Sequence, residues 1–345
     1  MRHIYHLLIL LSTPVFSFGQ IQLGGSDPQE LVLNALSGTG VSISNVQYTG
    51  APEAISYFQA NSVNSMPFTA GFVMTTGHKN YVVGPNNTPN AGTDNTFPGF
   101  SAIEGITGNP TYNACIIAFD LIPYGDTLRI RFVFGSEEHP EFVGRGFNDA
   151  FAIFVSGPGI AGTVNIAKLP NYSNITVNNI NAGVPGYYPA TNPEYFIDNG
   201  TGDNAPYNSS PNYLQYDGLT KPISAKLKVV PNQTYQVKLV IADAQDPVFD
   251  SGVFIEEGGI TASLGENDLN ESVKIFFNSE NQQARIELTE YPDQLTYSIT
   301  DLSGKVLVQS KIAETTTLDM SNYSSGMYLI RVGGANGQIS KKIMR

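Results

Sequence analysis

The feature that most constrains this chain is the recurrence of short apolar segments between turns rich in Gly, Pro and Asn. Most of these segments alternate apolar and polar side chains, which is the period-two pattern of a half-buried β-strand. The composition agrees, because 34 Gly and 21 Pro accompany 18 Tyr and 19 Phe. Long segments with the 3.6-residue period of an amphipathic helix are missing from the sequence. The sequence therefore predicts an all-β protein whose larger part is a jelly-roll-like β-sandwich.

The strands and loops of the larger part can be placed by this pattern. A short helix is predicted over 31–36, because Asp27 is a good N-cap and Pro28 suits the first helical position. Two polar segments, 84–100 and 181–212, are long enough to be binding or cover loops. The predicted strands are 41–48, 71–75, 114–121, 128–134, 151–155, 163–167, 176–180, 225–230, 234–241 and 253–255.

The first residues have the layout of a secretory signal peptide. A weakly basic start at Arg2 precedes an apolar run over 7–16 and small residues before a cleavage point at Gln20. The apolar run is well short of the roughly 20 residues that a membrane-spanning helix needs. The formal net charge of -12 disfavours nucleic acid and anionic lipid as partners. Because Cys115 is the single cysteine, an intrachain disulfide is excluded.

The last fifty residues or so carry their own motifs. Alternation from Gln294 leads into the turn Asp301-Leu302-Ser303-Gly304-Lys305, followed by Ser325-Gly326-Met327-Tyr328 and the pair Lys341-Lys342. In combination these motifs resemble the C-terminal sorting domain of the type IX secretion system, a small Ig-like β-sandwich. The resemblance implies the type IX machinery as a partner, and secretion through the periplasm of a Gram-negative cell to its surface or beyond. The alternative is an ordinary Ig-like accessory module.

Two segments of the larger domain share a plan, in which a strand, an acidic loop, an Asx residue and a second strand follow one another. Each plan gathers hard oxygen ligands at one end of a sheet. Neighbouring carboxylates would repel one another by roughly 1 to 4 kcal/mol per pair. Ca²⁺ would relieve the repulsion, because it takes about six to eight oxygen ligands. The candidate metal ligands are Glu137, Glu138, Glu141, Asn148, Asp149, Asp243, Asp246 and Asp250.

Other interpretations of these acids stay open. They could form a solvated rim, or they could pair with the nearby basic residues Arg129, Arg131, Arg145 and Lys238. Zinc is disfavoured, because His78 and His139 are the only histidines beyond the predicted cleavage point and Cys115 is isolated. Calcium is therefore the cofactor that the sequence favours, if these loops bind a metal.

A second family resemblance covers the larger domain. It rests on the segments 134–144 (FGSEEHPEFVG) and 146–159 (GFNDAFAIFVSGPG), together with Gln215-Tyr216-Asp217-Gly218 and the segment 249–255 (FDSGVFI). These segments resemble the core of the choice-of-anchor L domain. The resemblance implies a secreted all-β domain that is joined to different surface anchors or sorting signals, and it implies no activity. The predicted organisation is a signal peptide (1–19), the choice-of-anchor L-like domain (20–264), a linker (265–273) and the sorting domain (274–345).

The function expected from these observations is non-catalytic adhesion or ligand binding at the cell surface, with an extracellular polysaccharide or surface glycan as the partner. The alternative is a glycosidase-like hydrolase that uses Asp243 and one acid of the 137–141 loop, since two carboxylates across a cleft suffice for that chemistry. Tyrosines in the second polar segment and just after it could stack on sugars or could simply pack against the fold. These tyrosines are Tyr187, Tyr188, Tyr195, Tyr207, Tyr213 and Tyr216.

Overall fold

The structure is a computed structural model that describes residues 21–60, 66–263, 273–288, 295–301, 303–312, 315–334 and 337–345. The chain divides into two compact units, and the division falls after Ser263. The predicted signal peptide and nearly all of the predicted linker lie outside the described residues. Within the described residues both units are built of antiparallel sheets, so the all-β prediction is confirmed.

The larger unit contains fourteen of the described strands, two short helical segments and four 3₁₀ turns, which are Pro52–Ala54, Lys79–Val82, Val177–Asn179 and Pro193–Tyr195. One helical segment begins at Pro28–Glu30 and continues as a π-type turn over Leu31–Leu36, and the other is Ser101–Thr107. The strands are β1 Ile21–Leu23, β2 Val41–Thr49, β3 Ile55–Ala60, β4 Ala70–Thr75, β5 Thr111–Pro123, β6 Thr127–Ser136, β7 Ala150–Ser156, β8 Val164–Asn165, β9 Ile175–Thr176, β10 Phe196–Asp198, β11 Gly218–Thr220, β12 Ile223–Lys228, β13 Tyr235–Ala244 and β14 Ser251–Ser263.

The strands of the larger unit form two sheets, here called sheet A and sheet B. Sheet A has the order β1-β3-β4-β14-β6-β11-β10, and β12 also pairs with β6. Sheet B has the order β2-β5-β13-β7-β8, and β9 also pairs with β7. The two sheets pack face to face, because Phe132 of β6 meets Phe151 of β7 with ring centroids 4.9 Å apart. This arrangement is the jelly-roll-like sandwich that the sequence predicts.

Alternation along β6 shows how the sequence supplies the core. Phe132 and Phe134 point between the sheets, whereas Val133 points to the outer face of sheet A and joins a cluster with Phe254 and Tyr216. This alternation is the ordinary consequence of the pleat. Met66, Phe68 and Val82, which precede the first polar loop, and Leu214, which follows the second, pack on that outer face. Sheet A is therefore buried on both sides near the ends of its central strands.

The outer face of sheet B is covered only in part. The helix Ser101–Thr107 lies on it and buries Ile103 completely. Close approach of the helix is possible because the strands present small side chains beneath it. These side chains are Ala114, Ala150, Ala152 and Ala242.

Local predictions had mixed outcomes. The helix start is confirmed, since the Glu30 N–H donates to the Asp27 carboxylate at 2.9 Å. The strand predicted over 176–180 is wrong for most of its length, because Val177–Asn179 is a 3₁₀ turn. The Thr176 hydroxyl accepts from the Asn179 N–H at 3.2 Å and caps that turn. Strand β3 and the helix Ser101–Thr107 had not been predicted.

The smaller unit also consists of two antiparallel sheets. Its strands are β15 Val273–Asn278, β16 Gln283–Leu288, β17 Leu295–Asp301, β18 Val306–Ile312, β19 Thr316–Asp319, β20 Met327–Gly334 and β21 Gly337–Met344. The sheets have the orders β15-β16-β19 and β18-β17-β20-β21, with Ile286, Ile299 and Ile330 buried in one shared core. The predicted turn after β17 is stabilised by Asp301, whose carboxylate accepts from the N–H groups of Ser303 and Lys305. The prediction of a small Ig-like sandwich is confirmed.

Candidate functional site

Three neighbouring strands of sheet A bring an acid to the same level at one end of the sandwich. Ser136, the last residue of β6, is in register with the first residue of β14 on one side and of β11 on the other. Glu137 therefore stands between Asp250 and Asp217, and its N–H donates to the Asp250 carbonyl at 3.0 Å. Directly opposite residues of antiparallel strands project to the same face. We call these three side chains the carboxylate row.

The carboxylate row is buried beneath the two polar loops, and each of its side chains is only 1% exposed. The Asn86 amide donates to one Asp217 oxygen at 2.7 Å, and the Thr93 N–H donates to one Asp250 oxygen at 2.9 Å. The second oxygen of each Asp, and both oxygens of Glu137, accept no hydrogen bond. Four buried acceptor atoms are thus left without a donor.

The surroundings of the row disfavour ionisation of its carboxyl groups. Burial raises the pKa of Asp217 and that of Asp250 from 3.8 to about 8 each. Burial and then the negative charge of Asp217 also raise the pKa of Glu137, while the nearby Gln215 side chain opposes the rise. A buried carboxylate is costly unless a proton or a cation neutralises it. The row therefore needs positive charge from a source other than its hydrogen-bond donors, which are neutral groups.

A second set of buried acids lies between the two sheets at the same end. Asp149, just before β7 of sheet B, accepts from Ser251 Oγ of sheet A at 2.6 Å and from the Ala244 N–H at 2.8 Å. Asp243 accepts from the Asn113 amide at 3.0 Å through one oxygen, while its other oxygen has no partner. Asp149 thus has two donors and joins the sheets, whereas Asp243 is only half satisfied.

Glu138 belongs to this inner set as well. It is 1% exposed and one of its oxygens has no hydrogen-bond partner. Burial, and then the charge of Asp149, raises its pKa to about 10. The pKa of Asp149 itself is raised to about 7, chiefly by burial. Like the acids of the carboxylate row, the acids of the inner set are thus buried groups whose ionisation is disfavoured.

The remaining predicted ligands are placed differently. Glu141 is exposed at the surface. The Asn148 amide donates to the Thr107 carbonyl at 3.3 Å. Asp246 is half-buried and accepts from the Val248 N–H at 3.1 Å. The structure therefore brings five of the eight predicted residues to one end of the sandwich and leaves these three in the surrounding loops.

Asp217 is the residue of the carboxylate row that was not among the residues predicted from the sequence. It directly precedes a strand of three residues, Gly218–Thr220. That strand is too short to be predicted from an alternation of apolar and polar side chains. Among the described residues, no three His, Cys, Asp or Glu side chains stand close enough together to hold a metal ion as they are placed. Calcium binding accordingly stays a prediction.

The two other sequence hypotheses can be weighed against this geometry. Glu137, Glu138 and Asp243 are each 1% exposed, so a polysaccharide cannot contact them in this structure. The hydrolase alternative would need Asp243 in contact with the substrate, and in this structure Asp243 is buried. Of the tyrosines considered for stacking, Tyr216 is buried and its hydroxyl lies 3.0 Å from Thr75 Oγ1. That ring packs inside the fold and is not available to a ligand.

An open groove of about 920 Å³ lies on the outer face of sheet B, away from the acids. Its floor is made of outward-facing residues that strand pairing sets in two rows. One row crosses β2, β5, β13 and β7 as Gln47, Ala118, Lys238 and Phe154. The other crosses β5, β13 and β7 as Asp120, Gln236 and Ser156. The sequence analysis did not identify this surface, which we call the sheet B groove.

The walls of the sheet B groove combine charge and aromatic surface. The Asn45 amide donates to the Asp120 carboxylate at 2.6 Å. The Lys238 ammonium lies 5.1 Å from the centroid of the Phe100 ring, which in turn packs edge-on against Phe154. One acid and one base thus face the groove with amide groups between them. Such a lining suits a neutral ligand with many hydroxyl groups better than a strongly charged one.

Similarity to solved structures is weak. An Ig-like β-sandwich protein of the DUF3244 family from Bacteroides vulgatus aligns with 18% identity and a TM-score of 0.21, over 23% of this chain and 87% of that one. A β-glucuronidase from Ruminococcus gnavus aligns with 10% identity and a TM-score of 0.18, over 66% of this chain and 36% of that one. Similarity at this level transfers no activity. No curated protein matches the chain.

The C-terminal part of the chain matches the secretion system C-terminal sorting domain over residues 274–345. The chain is accordingly a cargo of the type IX secretion system, delivered to the extracellular space or the cell surface. None of the helices in the described ranges is long and apolar enough to cross a membrane.

The larger unit is matched by a different family, over residues 21–261, which is more than half of the chain. The matched region contains the carboxylate row, the inner acids and the sheet B groove. The chain belongs to the choice-of-anchor L domain family.

Proposed function

We propose that this protein is a non-catalytic adhesion or ligand-binding module, and that it binds a neutral polysaccharide or surface glycan in the sheet B groove. The observation that carries the proposal is the groove itself, about 920 Å³ in volume and floored by two cross-strand rows of side chains. This volume lies within the roughly 300–1,000 Å³ that is usual for ligand sites.

The side chains of the groove match the chemistry of a sugar. Gln47 and Gln236 each carry an amide that can donate and accept, which suits hydroxyl groups of either orientation. Ala118 is on β5, between strands β2 and β13, and its small side chain leaves room above the floor of the groove. Phe100 and Phe154 offer apolar surface at one end, where the face of a sugar ring can pack.

The charge of the groove narrows the class of ligand. Asp120 and Lys238 contribute opposite charges, so the lining is close to neutral. A polyanion would be repelled by the Asp120 carboxylate, and a polycation would be repelled by the Lys238 ammonium group. A neutral polymer avoids both costs and can still hydrogen-bond to both groups.

The test is native gel electrophoresis of the mature chain through gels that contain β-glucan, xylan or mannan. We expect at least one of these polysaccharides to retard the wild-type protein. The double variant Gln47→Ala/Gln236→Ala should lower the affinity about tenfold or more, a loss of about 1.4 kcal/mol or more in binding free energy. Gln59→Ala is the matched control, since Gln59 is an exposed strand glutamine on sheet A.

Two results would contradict the proposal. If none of the neutral polysaccharides retards the protein while a charged polymer does, the class of ligand is wrong. If the double variant is retarded as strongly as wild type, the ligand binds outside the groove.

A further inference from the structure

We propose that the carboxylate row is a Ca²⁺ site, with Glu137 as its central ligand and Asp217 and Asp250 on either side. This site lies on the outer face of sheet A, whereas the sheet B groove lies on the opposite sheet. The inference therefore stands or falls independently of glycan binding.

The carboxylate row contains buried oxygens that have no hydrogen-bond partner. Glu137 is 1% exposed, yet neither of its oxygens accepts a hydrogen bond. One oxygen of Asp217 and one of Asp250 are in the same condition. Native proteins pair nearly all buried polar atoms, and each exception calls for an explanation, of which a bound ion is one.

The hydrogen-bond donors that reach the carboxylate row bind its two outer acids. The Asn86 amide engages the outer acid on one side and the Thr93 N–H engages the outer acid on the other, each through one oxygen. Both donors come from the loop 84–100. They fix the two ends of the row. At its centre the Gln215 side chain and the Ala91 N–H lie near Glu137 but form no well-aligned hydrogen bond with it, so the centre is where an ion would be held.

The distance between neighbouring strands suits the distance between oxygen ligands on opposite sides of a Ca²⁺ ion. Neighbouring strands lie about 4.8 Å apart, and Ca²⁺ binds oxygen at about 2.3–2.6 Å. Two oxygens on opposite sides of one Ca²⁺ are thus separated by nearly one strand spacing. Mg²⁺ binds at about 2.0–2.1 Å in a strict octahedron and fits this spacing less well.

The same spacing explains why the three acids do not close around one point in the structure as it stands. The row spans two strand spacings, which exceeds the reach of a single coordination shell. The ion would therefore lie beside Glu137. It would be bound by Glu137 together with either Asp217 or Asp250, or it would draw both aspartates towards Glu137. Amide and carbonyl oxygens of the covering loops would complete the six to eight ligands.

The experiment uses the mature full-length chain after chelation and removal of the chelator. Calorimetric titration with CaCl₂ should show saturable binding with a Kd of about 0.1–1 mM, the range of extracellular calcium modules. Addition of 10 mM CaCl₂ should raise the Tm by several degrees, because only the native state forms the site. Glu137→Gln should abolish both the binding heat and the Tm shift.

Glu137→Gln also has a readout that a merely structural role would not give. The substitution keeps the shape of the side chain and removes a buried acid whose two oxygens have no hydrogen-bond partner, so in chelator at pH 8 this variant should melt above the wild-type protein. Glu141→Gln is the matched control, because Glu141 lies in the same turn but is exposed. It should bind Ca²⁺ as the wild-type protein does.

Each contrary result is informative. Absence of binding heat and of a Tm shift at 10 mM CaCl₂ in the wild-type protein would overturn the proposal. Undiminished binding by Glu137→Gln would overturn it as well. If Glu138→Gln alone abolishes binding, the ion lies between the sheets among the inner acids, and the assignment to the row is wrong.

Discussion

Asp149 and Ser251 join the two sheets of the sandwich through a hydrogen bond of 2.6 Å from the Ser251 hydroxyl to the Asp149 carboxylate. Asp149 precedes β7 of sheet B, and Ser251 begins β14 of sheet A. Both residues are fully buried. The bond therefore fixes the separation of the sheets at the end where the buried acids gather.

Removal of this carboxylate should destabilise the fold. In Asp149→Ala, the Ser251 hydroxyl and the Ala244 N–H would both lose their acceptor. Because a buried unpaired donor costs about 1–3 kcal/mol, we expect the free energy of unfolding to fall by about 2–4 kcal/mol in urea denaturation. Asp149→Asn retains one acceptor and should lose about half as much. The control is Asp94→Ala at an exposed loop position. If Asp149→Ala lowers the free energy of unfolding no more than this control does, the Asp149–Ser251 hydrogen bond does not hold the sheets together.

The stability of the chelated protein should decrease as the pH rises. Burial raises the pKa of Asp217 and of Asp250 to about 8, above the unfolded value of 3.8. Since the native state binds these protons more tightly, their stabilising contribution is complete below about pH 4 and is lost as the pH approaches 8. Thermal melts in EDTA between pH 5 and 8.5 should show a falling Tm. A Tm that rises through this range would contradict the pKa shifts.

Tyr216 should prove to be a structural residue. Its hydroxyl meets Thr75 Oγ1 at 3.0 Å, and its ring packs beside Phe254 in the outer layer of sheet A. Tyr216→Phe should lower the free energy of unfolding by about 1 kcal/mol, the usual value of one hydrogen bond, and leave polysaccharide retardation unchanged. Tyr187→Phe, at an exposed tyrosine, is the control and should change neither quantity. Loss of retardation in Tyr216→Phe would place this ring in the binding surface.

The sorting domain should be necessary and sufficient for passage across the outer membrane. A chain that lacks residues 274–345 should accumulate in the periplasm, because the region that matches the sorting family is gone. Fractionation followed by immunoblotting measures the distribution. In the reciprocal experiment, residues 265–345 fused to a periplasmic reporter should carry it to the cell surface or the medium. Surface delivery of the truncated chain would show that another segment carries the signal.

The sequence was sufficient for the strands whose side chains alternate along the chain. β5, β6 and β13 each bury every second residue against the other sheet, and that periodicity is visible without knowledge of any partner. The 176–180 prediction failed because a threonine with high strand propensity caps a turn instead. A local side-chain hydrogen bond outweighed propensity there.

Register is what the sequence could not supply. The carboxylate row exists because Ser136 pairs at once with the first residues of two other strands, which are distant in sequence. The sheet B groove has the same origin, since Gln236 and Asp120 look like ordinary solvent-facing residues until strand pairing sets them side by side. Sites that are assembled across strands leave no contiguous motif to find.

The alanines beneath the helix Ser101–Thr107 have a consequence for how this domain can diversify. Because Ala114, Ala150, Ala152 and Ala242 present a nearly flat seat, an insertion of another length or sequence between β4 and β5 could rest on it without repacking the space between the sheets. Phe100, which closes one end of the groove, belongs to that insertion. The segment that would contact a ligand in the groove is thereby separate from the residues that hold the sheets together, so its sequence can change without repacking the core.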